Sequence, residues 1–212
     1  MMLRVSEIGG SPAEDTVTSP AFRAFLTSEE TAASISEFAF SMISGLLQTE
    51  AYARAITSAS PVRYSPAKLE ALVARRMRRQ WRALERRDPP RLVYVLDEAV
   101  LHRALGGVEI LREQLLHLSD IAALPHVSLQ VLPFVPLMSA IALPQTDFSI
   151  IRPVVPDQET VLYFQHGVED RSTVSAYEVR EYQELFHSVC AASLSPEESL
   201  ATILRSAQAL EG

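Results

Sequence analysis

Asp97 and Glu98 are adjacent carboxylates at the end of an apolar run, Leu92-Val93-Tyr94-Val95-Leu96. Two acids beside a strand end can share general acid and base work if burial raises one pKa. The same pair also suits a helix start. Asp97 can accept from unpaired backbone N–H groups, and Glu98 sits where the helix dipole favours an anion. Both readings stand on the sequence alone. A second cluster is cationic: Arg75, Arg76, Arg78, Arg79, Arg82, Arg86 and Arg87 recur along one helical stretch. Such a face can meet phosphate, DNA or an acidic partner, or pair with neighbouring acids as a solvated surface. Arg75, Arg79 and Arg82 are the residues expected to contact a partner protein.

A third set could line a pocket. The stretch Val135 to Pro144 is apolar, uncharged and stiffened by proline. It must cover a core or wall a cavity, or it would be an exposed apolar patch. Phe134, Leu137, Met138 and Ile141 would supply the wall; Gln48, Tyr52 and Arg76 would be the nearest polar groups. Such a site would suit cyclisation or isomerisation of a hydrophobic substrate without a cofactor, with Asp97 or Glu98 as the acid or base.

Recognised catalytic signatures are missing. Gly9-Gly10 and Gly106-Gly107 lack the spacing of a phosphate loop, and there is no Gly-x-Ser-x-Gly elbow. No two of the five histidines stand in a zinc-like spacing, so neither metal nor cofactor is expected. Cys190 falls on an apolar helix face, where it reads as a packed thiol.

The elements around these residues follow from periodicity. Residues 91–96 and 127–132 read as strands joined by a helix from Val108, a βαβ unit. Asp147 to Ile151 and Val161 to Phe164 read as a hairpin, with a short strand near Ser172. The spacing of Ala32, Ile35, Phe38, Ala39 and Met42 predicts a helix starting at Thr27 or Ser28. Further helices are predicted after Glu50, from Pro66 to about Arg87, from Ala176 to about Ala192, and after Ser195. The expected fold is α+β: an N-terminal helical layer on a small mixed sheet of residues 91–96, 127–132, 147–151 and 161–165, then C-terminal helices. Residues 1–27 read as a flexible or draped arm and 28–212 as one domain.

Composition narrows the function classes. Of 212 residues, 48% are hydrophobic and 21% charged, enough for a sizeable core. A net charge of −7 opposes binding of nucleic acid by the whole surface. One cysteine fits a reducing cytoplasm, and no apolar run reaches the ~18 residues of a membrane span.

Four stretches together carry a family resemblance: Gly45 to Arg54, Val73 to Gln80, Asp97 to Leu101 with Gly106-Gly107 and Gln114-Leu115, and Val127 to Phe134. The chain resembles, over about residues 30 to 210, the C-terminal domain of WhiJ-like, Xre-type helix-turn-helix regulators of Streptomyces and other actinobacteria. The resemblance implies transcriptional regulation, often beside a small partner protein in an antitoxin-like arrangement. It implies no catalytic residues. Two departures are visible: no two-helix DNA-reading pattern precedes residue 30, and residues 135 to 145 differ from the polar loop usual in the family. The expectation is therefore a stand-alone, regulator-derived domain that binds a partner protein or a hydrophobic small molecule and does not by itself bind DNA specifically. A homodimer is allowed for. The alternative is a cofactor-independent enzyme of natural-product biosynthesis.

Overall fold

The structure, a computed structural model, describes residues 19–135, 144–165 and 170–211. Its elements are α1 (Pro20–Glu30), β1 (Ala32–Ala39), α2 (Glu50–Ser58), α3 (Pro66–Glu85), β2 (Arg91–Asp97), a 3₁₀ turn (Glu98–Leu101), α4 (Val108–Ala122), β3 (Val127–Leu132), β4 (Asp147–Pro153), β5 (Val161–Gln165), β6 (Arg171–Thr173), α5 (Ala176–Ala192) and α6 (Pro196–Gln208). The strands form one mixed sheet in the order β3-β2-β1-β4-β5-β6. The chain is thus α+β, and the four strand segments read from the sequence share this sheet. β1, β2 and β3 run parallel, so their helical connections are crossovers; β4, β5 and β6 follow as an antiparallel meander.

One expectation is overturned at the start of the domain. Residues 32–39 are the central strand of the sheet, not the middle of a helix. The helix lies earlier, with Ser19 as its cap and Pro20 in its first turn. Thr27 and Ser28, read as a helix start, instead donate back to the carbonyls of Arg23 and Ala24 in its final turn. The helical spacing of Ala32, Ile35, Phe38 and Ala39 was coincidental. A strand paired on both edges buries residues on both faces, so its apolar positions lose simple alternation. Residues 20–27, read as the end of an arm, belong to α1, and residues 1–18 of that reading lie outside the described residues.

Each sheet face has its own core. On one face, Ile35, Leu92, Leu96, Leu129 and Val131 pack with Phe25 of α1, Tyr52 of α2, Leu84 of α3, Leu111 and Leu115 of α4, and Ile203 of α6. On the other, Phe38, Val95, Phe148, Ile150 and Phe164 meet Val179, Phe186 and Val189 of α5. Each such side chain contributes roughly 1.5–3 kcal/mol on burial. Cys190 packs beside this second core, and burial pushes its thiol up to about 11, which keeps it protonated at neutral pH. No helix among the described residues is long and apolar enough to cross a membrane.

The turn into α4 depends on glycine. Gly106 has φ of 85°, and a Cβ there would stand 2.5 Å from the Cβ of Ala55. Gly106→Ala combines a left-handed backbone penalty with a clash between two short side chains. We expect it to lower unfolding free energy by about 2–4 kcal/mol, measured by urea titration.

Candidate functional site

The register of the sheet sets Tyr94 of β2, Glu37 of β1, Ser149 of β4 and Tyr163 of β5 in one cross-strand row. Glu37 is the acid in that row, on the same face as Ile35 and Ala39. A cleft of about 500 Å³ opens over it, between the sheet, α1, α3 and the segment 42–48 that follows β1. That size is ordinary for a small-molecule site.

Glu37 is half-buried and accepts a hydrogen bond from Ser149 Oγ at 3.1 Å. Burial pushes its carboxyl up to about 7; hydrogen bonding from Ser44 and Ser149 draws it partway back, and Asp147 and Glu29 push it up further. At neutral pH it is poised between acid and base. Tyr163 is raised as well, first by burial and then by Asp170. Asp170 also accepts from Ser19 Oγ at 3.2 Å, which ties the start of α1 to the cleft rim.

The wall at 42–48 is irregular backbone, and its path is set by side chains from distant elements. Asp147 Oδ1 accepts from the N–H groups of Phe40 and Ser41 at 2.6 and 3.0 Å, and its other oxygen takes the Ser41 hydroxyl. Gln48 donates to the Ile43 carbonyl at 2.6 Å. Gln80 of α3 donates to the carbonyls of Leu46 and Gln48 at 3.0 and 2.9 Å. Gln114 of α4, fully buried, donates to the Leu47 carbonyl and accepts from Thr49 N–H, each at 2.7 Å. Buried loop backbone needs such partners, since unpaired amide groups are costly. Three of the stretches that carry the family resemblance thus meet at one segment.

Helix α3 supplies the opposite wall. Arg79 forms a bidentate pair with Glu29, both contacts 2.8 Å, with side chains only 14% and 4% exposed. Its guanidinium also lies 5.7 and 5.6 Å from the ring centres of Phe22 and Phe25. Burial alone would lower its pKa, but Glu29 more than offsets that and the net shift is upward. Arg76 instead donates to the neutral Gln48 Oε1 at 2.5 Å. Burial, then repulsion from Arg79 and Arg75, lowers its pKa to about 10. Arg75 lines the cleft too, and Arg82 stands outside it, 64% exposed, 3.3 Å from Glu30.

The residues singled out in the sequence scatter. Gln48, Arg75, Arg76 and Arg79 all line the cleft. Arg79 is not on an outward arginine face, because its Glu29 partner draws it inward between α1 and α3. Tyr52 lies fully buried in the core, its hydroxyl without a well-formed hydrogen bond among the described residues. Phe134 is 64% exposed and stacks on His102 with ring centres 5.9 Å apart, away from the cleft. Leu137, Met138 and Ile141 lie outside the described residues. Asp97 accepts from Ala99 N–H at 2.9 Å as a cap, Glu98 accepts from Phe134 N–H at 2.7 Å, and neither lines the cleft. Among the described residues no group of three or more His, Cys, Asp or Glu could hold a metal ion. Glu37, Ser44, Asp147 and Ser149 were missed. An acid inside the alternating run Ser34-Ile35-Ser36-Glu37-Phe38 was the signal that could have found the first of them.

The fold and cleft define an α+β domain with a cavity of mixed polar and apolar lining, walled by α1, α3 and one irregular segment. By sequence, the chain belongs to the family described as a domain of unknown function, DUF5753, which it matches over residues 22–205. Neither curated proteins nor solved structures gave a match.

Proposed function

We propose that this domain binds a small molecule in the cleft between β1, α1, α3 and segment 42–48, and serves as a ligand-sensing unit derived from a WhiJ-like actinobacterial regulator of the cytoplasm. The observation that carries the reading is the cleft itself. About 500 Å³ of space receives Glu37, Ser149 and Arg76 from three different elements. The wall that bounds it belongs to the stretch with the family resemblance, which supports a role shared by regulators of this type. The charged groups of the lining stand beside Phe22, Phe25, Leu46 and Phe148, which suits an amphipathic ligand better than the purely hydrophobic one expected from residues 134–144. The arginines of α3 support a protein-docking or DNA-binding face less well, since Arg79 is engaged by Glu29 and Arg76 by Gln48.

Gly45 offers a direct test. A Cβ added there meets nothing within 4 Å, and the residue lines the cleft. Gly45→Trp should leave the fold intact and fill the space. Metabolites from an actinobacterial extract should be retained by the wild-type protein on ultrafiltration and lost, at least about tenfold, by the variant. Equal retention by both proteins, or by neither, would refute the cleft as a binding site.

Glu37 supports a second reading, a cofactor-independent isomerase or cyclase. A carboxyl near 7 is suited to exchange a proton with substrate at neutral pH. Under that reading Glu37→Gln still binds the ligand but abolishes its conversion. Under the sensing reading no conversion is seen with either protein.

A further inference from the structure

We infer that the ligand of this cleft carries an anionic group, a carboxylate or a phosphate, and that Arg76 is the residue that receives it. The inference rests on the small-molecule reading of the cleft and adds the chemical class of what binds there.

The charges that line the cleft are unevenly paired. Three guanidinium groups, from Arg75, Arg76 and Arg79, line the cleft with four carboxylates, from Glu29, Glu37, Asp147 and Asp170. Glu29 closes both of its oxygens on Arg79. Asp147 is engaged by the backbone N–H groups of Phe40 and Ser41 and by the Ser41 hydroxyl. Asp170 takes the Ser19 hydroxyl. Glu37 holds Ser149. None of the four forms an ion pair with Arg76.

What holds Arg76 is a neutral amide oxygen. Gln48 is 1% exposed and anchored at its other end to the Ile43 carbonyl, so it presents Oε1 in a fixed direction. One of the five N–H donors of the guanidinium is thereby used, and it orients the rest. A half-buried cation with no counter-ion among the described residues is unfavourable, and a bidentate anion is the partner its geometry suits. Gln48 is a positioning residue in this arrangement, and Arg76 is the contact.

The test uses simple probes on the whole chain. Inorganic phosphate, acetate and the neutral isostere acetamide are titrated at low ionic strength while backbone amide NMR signals of residues 43–49 and 73–80 are followed. Phosphate or acetate should shift these signals saturably, and acetamide should not. The tighter of the two anions identifies phosphoryl or carboxyl as the group. Arg76→Gln should weaken that anion at least about tenfold, since hydrogen bonds to a charged group are among the strong ones. Arg76→Lys, which keeps the charge, should retain part of the affinity, and Arg82→Gln, outside the cleft, should change nothing. Absence of a saturable response to either anion overturns the inference, as does an unchanged response in Arg76→Gln. Should Arg76→Gln fail to fold, the contrast between acetate and acetamide on the wild-type protein decides. The two claims fail separately. If Gly45→Trp blocks retention of a neutral metabolite and no anion binds, the cleft is a binding site and the anionic class is wrong.

Discussion

Replacing Arg79 by methionine is expected to cost about 3–5 kcal/mol of folding stability, the range for removing one partner of a buried ion pair. Glu29 would be left 5% exposed with no cation to meet it. Ordinary domains have only about 5–15 kcal/mol in hand, so the variant would stand near the edge of folding. The pair also fastens α1 to α3, with Phe22 and Phe25 beside the guanidinium and Phe25 stacked on Tyr163 at 4.4 Å. Loss of Arg79 should therefore loosen α1 before the remainder, seen as early hydrogen exchange at residues 20–30. Urea unfolding gives the magnitude. The double variant Arg79→Met, Glu29→Leu should recover most of the loss, because two apolar side chains fill the site without an unpaired charge. A single variant within about 0.5 kcal/mol of wild type would show that the pair is solvated and weak.

The second large effect is on pH dependence. The carboxyl of Glu37 is raised from 4.5 to about 7 in the folded protein. For an acid raised on folding, the native state holds its proton more tightly than the unfolded chain. The stabilisation is fully present below about pH 4.5 and is lost as pH rises through about 7. The full difference is about 3 kcal/mol at 1.36 kcal/mol per pH unit, an upper figure for a group that lines an open cleft. The groups facing Glu37 are Ser44, Ser149 and Asp147, Glu29 from α1, Tyr94 from β2, Tyr163 from β5 and Arg79 from α3. Glu37→Gln keeps an acceptor for Ser149 and cannot ionise. At pH 8 it should be more stable than wild type by up to about 3 kcal/mol, and at pH 4.5 nearly equal to it. Stability curves for the two proteins at pH 4.5, 6, 7 and 8 measure this. Parallel curves would mean that Glu37 ionises normally in the folded state.

The parts of the fold that were legible are those whose signals are local. β2, α4 and β3 carry clean periodicity, a cap at Asp97 and two glycines with positive φ at 106 and 107. The start of α6 was equally plain, and Ser195 and Glu198 form a reciprocal capping box there. β1 was misread because its identity lies in its neighbours: pairing with β2 and β4 decides it, and no window of eleven residues contains those partners. The site divides in the same way. Gln48 and Arg76 stand out in the sequence as polar groups near a pocket and do line one, whereas Phe134 lies away from it and residues 136–143 fall outside the described residues. Glu37 and Ser149, 112 residues apart, become a pair only through sheet register.

The hydrogen bonds that shape segment 42–48 grip its backbone. Gln80, Gln114 and Gln48 hold the carbonyls of Leu46, Leu47, Gln48 and Ile43. The path of the wall is therefore independent of which side chains it displays at Met42 and Gly45, both of which line the cleft. Substitutions at these two positions would re-cut the interior of the cleft without disturbing its frame, whereas Ser44 is buried and bonded to Glu37. Loss of one of the glutamines would instead release the frame itself. In a domain built this way, the shape of the cavity and the frame that holds it are set by different residues.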